Sequence, residues 1–200
     1  GEACRQGQQW RTAGLPELTI AVNVSLHQFL LTDIAGETAQ VLAASGFPAQ
    51  SLELEITESA LAEQPEEALA VLNRLRGLGL RLAIDDFGTG YSSLAHLKRF
   101  PLDLLKIDQG FIRDIPHSCD DMTISSSVIA LGHAMGLKVL AEGVETREQL
   151  QFLQDKGCDF FQGYFCSRPL PAEEFTRLLE KAGAGQPLVD LLSVEDGVVI

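Results

Sequence analysis

The chain has 200 residues, 46% hydrophobic and 22% charged, which is enough to bury one core as an ordinary globular domain does. Its formal charge of −13 leaves no basic stripe to neutralise phosphates, which argues against a DNA or RNA polymer as partner and requires cations to mediate any anionic ligand. No run reaches the roughly 18 uninterrupted apolar residues of a membrane span, and the opening Gly-Glu-Ala-Cys-Arg-Gln lacks a signal-peptide core, so a soluble, cytoplasmic domain is expected.

In chain order, a helical stretch near residues 2–13 precedes a strand near 18–24, in which Ile20, Val22 and Val24 share one face and Ala21 and Asn23 the other. A helical stretch is expected near 26–45. The next strand, near 52–57, sets Leu52, Leu54 and Ile56 against Glu53 and Glu55. The clearest amphipathic helix is 66–77, where Ala68, Leu69, Leu72 and Leu75 recur near helical spacing and Gly77 and Gly79 close the run.

A strand near 80–85 ends on adjacent aspartates, Asp85 and Asp86, and gives way to the loop Gly88-Thr-Gly. Further strands fall near 103–108, 138–142 and 159–164, with helices near 121–136, 146–156 and 171–182. After Gly185 the pattern changes: Pro187 and Gly197 punctuate two short apolar pieces. Residues 1–184 are therefore expected to form the domain and 185–200 a tail.

Six strands alternating with helices predict a parallel sheet, either open and doubly wound or curled into a barrel. An open sheet covered on both sides wants two apolar faces. Here one face of the strands is apolar and the other mixed, which fits strands around a barrel axis better.

In a barrel, the polar residues at the C-terminal strand ends converge at one mouth. They are Asn23, Glu55, Asp85 with Asp86, Lys106, Glu142 and Gln162. Each has a plainer reading. Asn23 and Gln162 could satisfy local backbone, Glu55 could be a solvated strand-end carboxylate, and Glu58 and one of Glu142 and Glu145 could be first-turn helix acids. The aspartate pair is harder to dismiss, because one Asp suffices for a helix cap and the second adds repulsion unless a cation lies between them. Lys106 sits in an otherwise apolar strand and needs a carboxylate or bound water as partner. Several carboxylates with an amide and no histidine cluster describe a hard-cation site suited to Mg²⁺ or Mn²⁺ rather than zinc.

Other chemistries find no support. Asp86-Phe87-Gly88 spells a kinase triplet without the loops that accompany it, and no G-x-S-x-G elbow or P-loop lysine is present. His27, His96, His117 and His133 form no metal-binding pair. Cys4, Cys119, Cys158 and Cys166 are scattered and expected to be reduced thiols.

Six segments in register (Val22-Asn-Val-Ser, Glu55-Ile-Thr-Glu-Ser, Asp85-Asp-Phe-Gly-Thr-Gly-Tyr-Ser-Ser-Leu, Leu105-Lys-Ile-Asp, Glu142-Gly-Val-Glu-Thr and Gln162-Gly-Tyr) resemble the EAL-domain cyclic di-GMP phosphodiesterases. The resemblance runs from about residue 2 to 182. It implies a TIM-like (β/α) barrel that hydrolyses one phosphodiester of cyclic di-GMP to linear pGpG with two divalent metals. It also implies metal ligation by Asn23, Glu55, Asp85, Asp86 and Glu142, with Lys106 orienting or deprotonating the attacking water and Glu142 sharing the catalytic role. Gln162 is implied at the site rim, Pro169 beside a guanine, and Glu58 as the residue that holds the Asp-Phe-Gly-Thr-Gly loop.

The resemblance would place the family's namesake Glu-Ala-Leu on a strand several dozen residues before Asn23, and only about two dozen residues precede Asn23 here; the Glu67-Ala-Leu of the 66–77 helix does not stand at that place. An incomplete barrel of about six strands, lacking the first two, is therefore expected. An exposed strand edge invites cover from a second copy, as in a homodimer, or from the tail. The resemblance further implies sensory or GGDEF-like domains in the parent protein. It leaves a second functional reading, a catalytically impaired cyclic di-GMP-binding or regulatory module.

Overall fold

The computed structural model describes residues 1–90 and 94–183; residues 91–93 and the expected tail at 185–200 lie outside the described residues. Contacts group the chain into two compact units, one of Gly1–Ala13 and Glu17–Leu105, the other of Gly14–Pro16 and the described residues from Lys106 onward.

The first unit holds α1 (Glu2–Thr12), β1 (Ile20–Val24), α2 (Leu26–Leu31), α3 (Ile34–Ser45), β2 (Leu52–Thr57), α4 (Glu58–Glu63), α5 (Pro65–Gly77), β3 (Arg81–Phe87) and α6 (Leu94–Leu97). The unit boundary falls inside β4 (Leu104–Ile107). The second unit continues with a 3₁₀ turn at Gln109–Phe111, α7 (Cys119–Ala134), β5 (Lys138–Ala141), α8 (Arg147–Asp155), β6 (Phe160–Phe161) and α9 (Ala172–Gly183). Strand order follows chain order, β1-β2-β3-β4-β5-β6. The pairs β1–β2, β2–β3 and β5–β6 are parallel. Six strands alternating with helices give the expected fold class, an incomplete TIM-like (β/α) barrel.

Local chemistry explains the elements. In α5, Pro65 occupies the first turn with Glu66 and Glu67, Arg74 and Arg76 sit in the last, and Ala68, Leu72 and Leu75 are buried, an arrangement that suits the macrodipole and packs one stripe inward. The single helix expected at 26–45 is two. Thr32 is extended, and the Asp33 side chain accepts from the Gly36 amide at 3.3 Å to start α3, because a short polar side chain caps a new helix better than it continues an old one.

The strands are also shorter than expected at their ends. β5 stops at Ala141 and β6 has only Phe160 and Phe161, leaving Glu142 and Gln162 just beyond their strands. A Cβ at Gly163 would lie 2.2 Å from the Val144 carbonyl oxygen, so two backbones touch where the chain leaves β6 and only glycine fits.

β2 is buried on both faces: Leu54 and Ile56 on one, Glu53 and Glu55 on the other, at 9% and 7% exposure. A strand whose carboxylate face is as hidden as its apolar face belongs to an enclosed polar interior, as the alternation suggested.

In the second unit, Asp159, just before β6, ties α7 and β5 to its own segment. Its carboxylate accepts from Lys138 Nζ at 2.6 Å, from the Val139 amide at 3.0 Å, and lies 2.7 Å from His133 Nε2. Burial alone would raise this carboxyl, but the hydrogen bonds from Lys138, His133 and Val139 together outweigh burial and lower it below its ordinary 3.8. A lowered folded value stabilises above the unfolded value and is lost as pH falls through the folded one. Urea titrations of the wild type and Asp159→Asn are therefore expected to differ most at neutral pH and to converge as pH drops below about 4. A gap that stays constant into acid would contradict the assignment.

Candidate metal and phosphodiester site

In-register pairing sets the polar side chains of the first unit in layers. Asn23 pairs with Glu55, Glu55 with Ala83, and Thr57 with Asp85. Residues opposite one another, or two apart along a strand, share a face, so Asn23, Glu55 and Asp85 project from the same side of the sheet. Ala83, fully buried and level with Glu55, places only a methyl beside that carboxylate, two residues before Asp85. Asn23 is exposed, whereas Glu55 and Asp85 are buried.

Asp86 breaks the alternation. Its φ is 53°, the left-handed region that Asp tolerates better than most residues, and its amide donates to its neighbour's Oδ1 at 3.1 Å. Both aspartates thereby offer carboxylate oxygens within 4.8 Å of one another. Two carboxylates held this close at the end of a buried strand, with Glu55 and Asn23 on the same face, make a hard, oxygen-only donor set of the kind that suits a divalent cation. The donors expected from the sequence in this unit are thus brought to one face and one strand end.

Glu58 opens α4 and is 3% exposed. Its Oε2 accepts from the Gly88 amide at 2.9 Å and the Gly90 amide at 3.1 Å. A Cβ at Gly90 would lie 3.1 Å from the Glu58 carboxyl carbon, so the loop approaches the carboxylate by its bare backbone. Thr89 closes the same turn, its hydroxyl donating to the Asp86 carbonyl at 2.8 Å. Glu58 is thus both first-turn acid and anchor of the loop after the aspartate pair.

In the second unit, Lys106 is 2% exposed and its ammonium lies 2.7 Å from Glu142 Oε1. The Gln162 side-chain amide donates to the same oxygen at 2.7 Å. The strand backbone sets these positions: the Glu142 amide donates to the Ile107 carbonyl and the Gln162 amide to the Ala141 carbonyl. The carboxylate expected to accompany a buried Lys106 is therefore Glu142, and Gln162 joins it.

Gln162 and Pro169 line one cleft of about 480 Å³ in this unit, together with Gln109, Glu145, Tyr164 and Arg168. The Arg168 guanidinium stacks 4.5 Å from the centre of the Tyr164 ring, a flat cationic and aromatic surface of the kind that takes planar rings and anions. Sequence reasoning missed Tyr164 and Arg168. Their signal, an aromatic and an arginine beside Gln162, is too common to read without the fold.

A family model described as EAL domain matches residues 1–169. The cyclic di-GMP phosphodiesterase NbdA of Pseudomonas aeruginosa is 48% identical over 178 residues, covering 88% of this chain and 23% of that protein. The chain spans about a quarter of the length of the curated relatives it matches. Among solved structures, the PaMucR phosphodiesterase in complex with c-di-GMP superposes with a TM-score of 0.85 and 43% identity, over 87% of this chain and 70% of that one. A manganese and cyclic di-GMP complex of Klebsiella pneumoniae BlrP1 gives a TM-score of 0.75 and 35% identity, over 84% and 42% of the two chains.

Two substitutions probe the geometry without any ligand. Glu142→Ala takes a carboxylate from a buried ammonium and is expected to cost about 3 kcal/mol in urea unfolding; Lys106→Met, which leaves the Glu142 carboxylate without that ammonium, is expected to destabilise as well, whereas the double variant Lys106→Met with Glu142→Leu is expected to recover much of the loss. Glu58→Ala removes the acceptor of two loop amides, and amide exchange at Gly88 and Gly90 is expected to quicken by at least about tenfold. Unchanged exchange would mean that Glu58 does not hold the loop.

Proposed function

We propose, because this chain belongs to the EAL domain family, that the protein carrying it hydrolyses one phosphodiester bond of cyclic di-GMP to linear pGpG with the help of Mg²⁺ or Mn²⁺. The observation that carries the reading is the shared strand face of Asn23, Glu55 and Asp85, ending at the paired carboxylates of Asp85 and Asp86. The relatives named cyclic di-GMP phosphodiesterase and the manganese complex of BlrP1 supply the substrate and the class of metal.

In this reading Asn23, Glu55, Asp85, Asp86 and Glu142 are the metal ligands. Bound divalent cations neutralise the phosphate, acidify water and stabilise a leaving oxygen. The chain's residues do the rest. Lys106, as a fixed charge held in place by Glu142, orients the attacking water and favours the anionic oxygen that develops, whereas only the neutral amine, having first given up its own proton, would take the proton of the water. Gln162 binds at the rim and keeps the Glu142 oxygen aimed. Pro169 borders one guanine. Glu58 holds Gly88 and Gly90 so that the loop presents Asp86 with its left-handed backbone. An acidic domain thus receives an anionic dinucleotide through metal ions rather than through clustered arginines.

The reading places the domain in the cytoplasm; among the described residues no helix is long and apolar enough to cross a membrane. Because the chain spans 23% of NbdA and 25% of the protein named bifunctional diguanylate cyclase/cyclic di-GMP phosphodiesterase MucR, sensory or GGDEF-like domains are proposed for the parent. A second copy of the chain is the proposed cover for the sheet edge.

The test is hydrolysis of cyclic di-GMP by the parent protein with Mn²⁺, followed by product analysis. Formation of pGpG is expected, and Asp85→Asn is expected to lower kcat by at least about a hundredfold while the fold is retained. Nucleotide binding without turnover would instead establish the regulatory-module reading, and an undiminished Asp85→Asn would remove the aspartate pair from the site.

A further inference from the structure

Gln149 has no part in the site described above, yet it is 3% exposed and its side-chain amide is fully engaged. Its Oε1 accepts from the amides of Glu145 at 2.7 Å and Thr146 at 3.0 Å. Its Nε2 donates to the carbonyls of Ile112 and Arg113, both at 3.1 Å. The accepted bond from Thr146 belongs to the capping box that starts α8. The two donated bonds do not; they reach across 37 and 36 residues of sequence.

Those carbonyls close the 3₁₀ turn that follows Lys106 and β4, where a helix end leaves acceptors without intrahelical donors. The preceding carbonyl, of Phe111, is taken by the fully buried Ser125 hydroxyl at 3.0 Å. Three successive acceptors are therefore met by two buried side chains. At the other end of the bridge lies the segment that carries Glu142. The two segments also touch directly, since a Cβ at Gly143 would lie 2.6 Å from Gln109 Cβ, and Gln109, Gly143 and Glu145 all line the cleft of Gln162.

We propose that Gln149 is a positioning residue: its carboxamide locks the Glu142–Thr146 segment to the turn after Lys106 and so fixes the angle at which Glu142 meets Lys106 and Gln162. The proposal rests on the phosphodiesterase reading for its kinetic consequence but not for its geometric one. Supporting groups that orient a reacting shell act through small displacements, and their loss costs activity out of proportion to stability.

Gln149→Glu tests it, because the ionised carboxylate still accepts from Glu145 and Thr146 and keeps the cap, while losing both donated bonds and facing two carbonyl oxygens. In the intact protein, kcat for cyclic di-GMP is expected to fall about tenfold to a hundredfold with KM changed by less than about threefold. In the metal-free 200-residue chain, the Gln162 side-chain amide proton resonances are expected to move in the same variant. Thr146→Ala, which loses only the cap, is expected to lower the melting temperature and leave both kcat and those resonances near wild type.

Unchanged kcat and unchanged Gln162 resonances in Gln149→Glu would overturn the proposal. If the wild type hydrolyses nothing, the functional reading fails by itself and the resonances alone decide the positioning role. If the variant does not fold, amide exchange in the wild type decides it: Glu145 and Thr146 as slow as the interior of α8 supports the lock, and exchange as fast as that of an exposed loop refutes it.

Discussion

Parallel pairing in one register across β1, β2 and β3 is the constraint on which the candidate site depends. Because side chains alternate along a strand, a slip of one residue between β1 and β2 would turn Asn23 away from the face of Glu55. The same slip would pull Ile56 or Leu54 out of the core. Burial of apolar side chains on one face therefore fixes the placement of oxygen donors on the other. The packing of α5 against β3, with Leu72 and Leu75 buried on the helix, helps to hold the apolar side of the strand inward.

Each of the two units carries an electrostatic load, and the two meet it by different means. In the first unit, carboxylates are gathered at a strand end and on one sheet face, where mutual repulsion is the cost of a ready cation site. In the second, the charge is balanced internally: Lys106, Glu142 and Gln162 form a short chain of contacts in which a buried ammonium meets its carboxylate. Neither arrangement is efficient as a source of stability, because a well-packed apolar group of the same size would usually serve as well or better. Their retention is intelligible as function.

Much of this was legible in the sequence, for physical reasons. Alternation in Leu52–Ile56 and the helical spacing of Leu72 and Leu75 report burial, and the pattern of burial is what decides elements. Strand-end positions could be read as converging because parallel sheets bring their C-terminal ends together. What could not be read was local hydrogen bonding. The break at Thr32 and Asp33 turns on a cap weighed against a continuing helix. Sequence reasoning also missed Gln149, whose capping box and whose bridge from its nitrogen to residues 112 and 113 are seen only in the structure. Tyr164 and Arg168 likewise gain meaning only when stacked.

The left-handed backbone of Asp86 restricts what chemistry the position can hold. Besides glycine, Asp and Asn are the residues that enter this conformation at least cost. Asn would preserve the backbone and nearly the whole volume while discarding the negative charge. A single-nucleotide change thus separates a fold with two aspartates from an equally unstrained one with a single charge. If the phosphodiesterase reading holds, backbone strain offers no barrier against a lineage of this architecture drifting from consuming its ligand to merely sensing it.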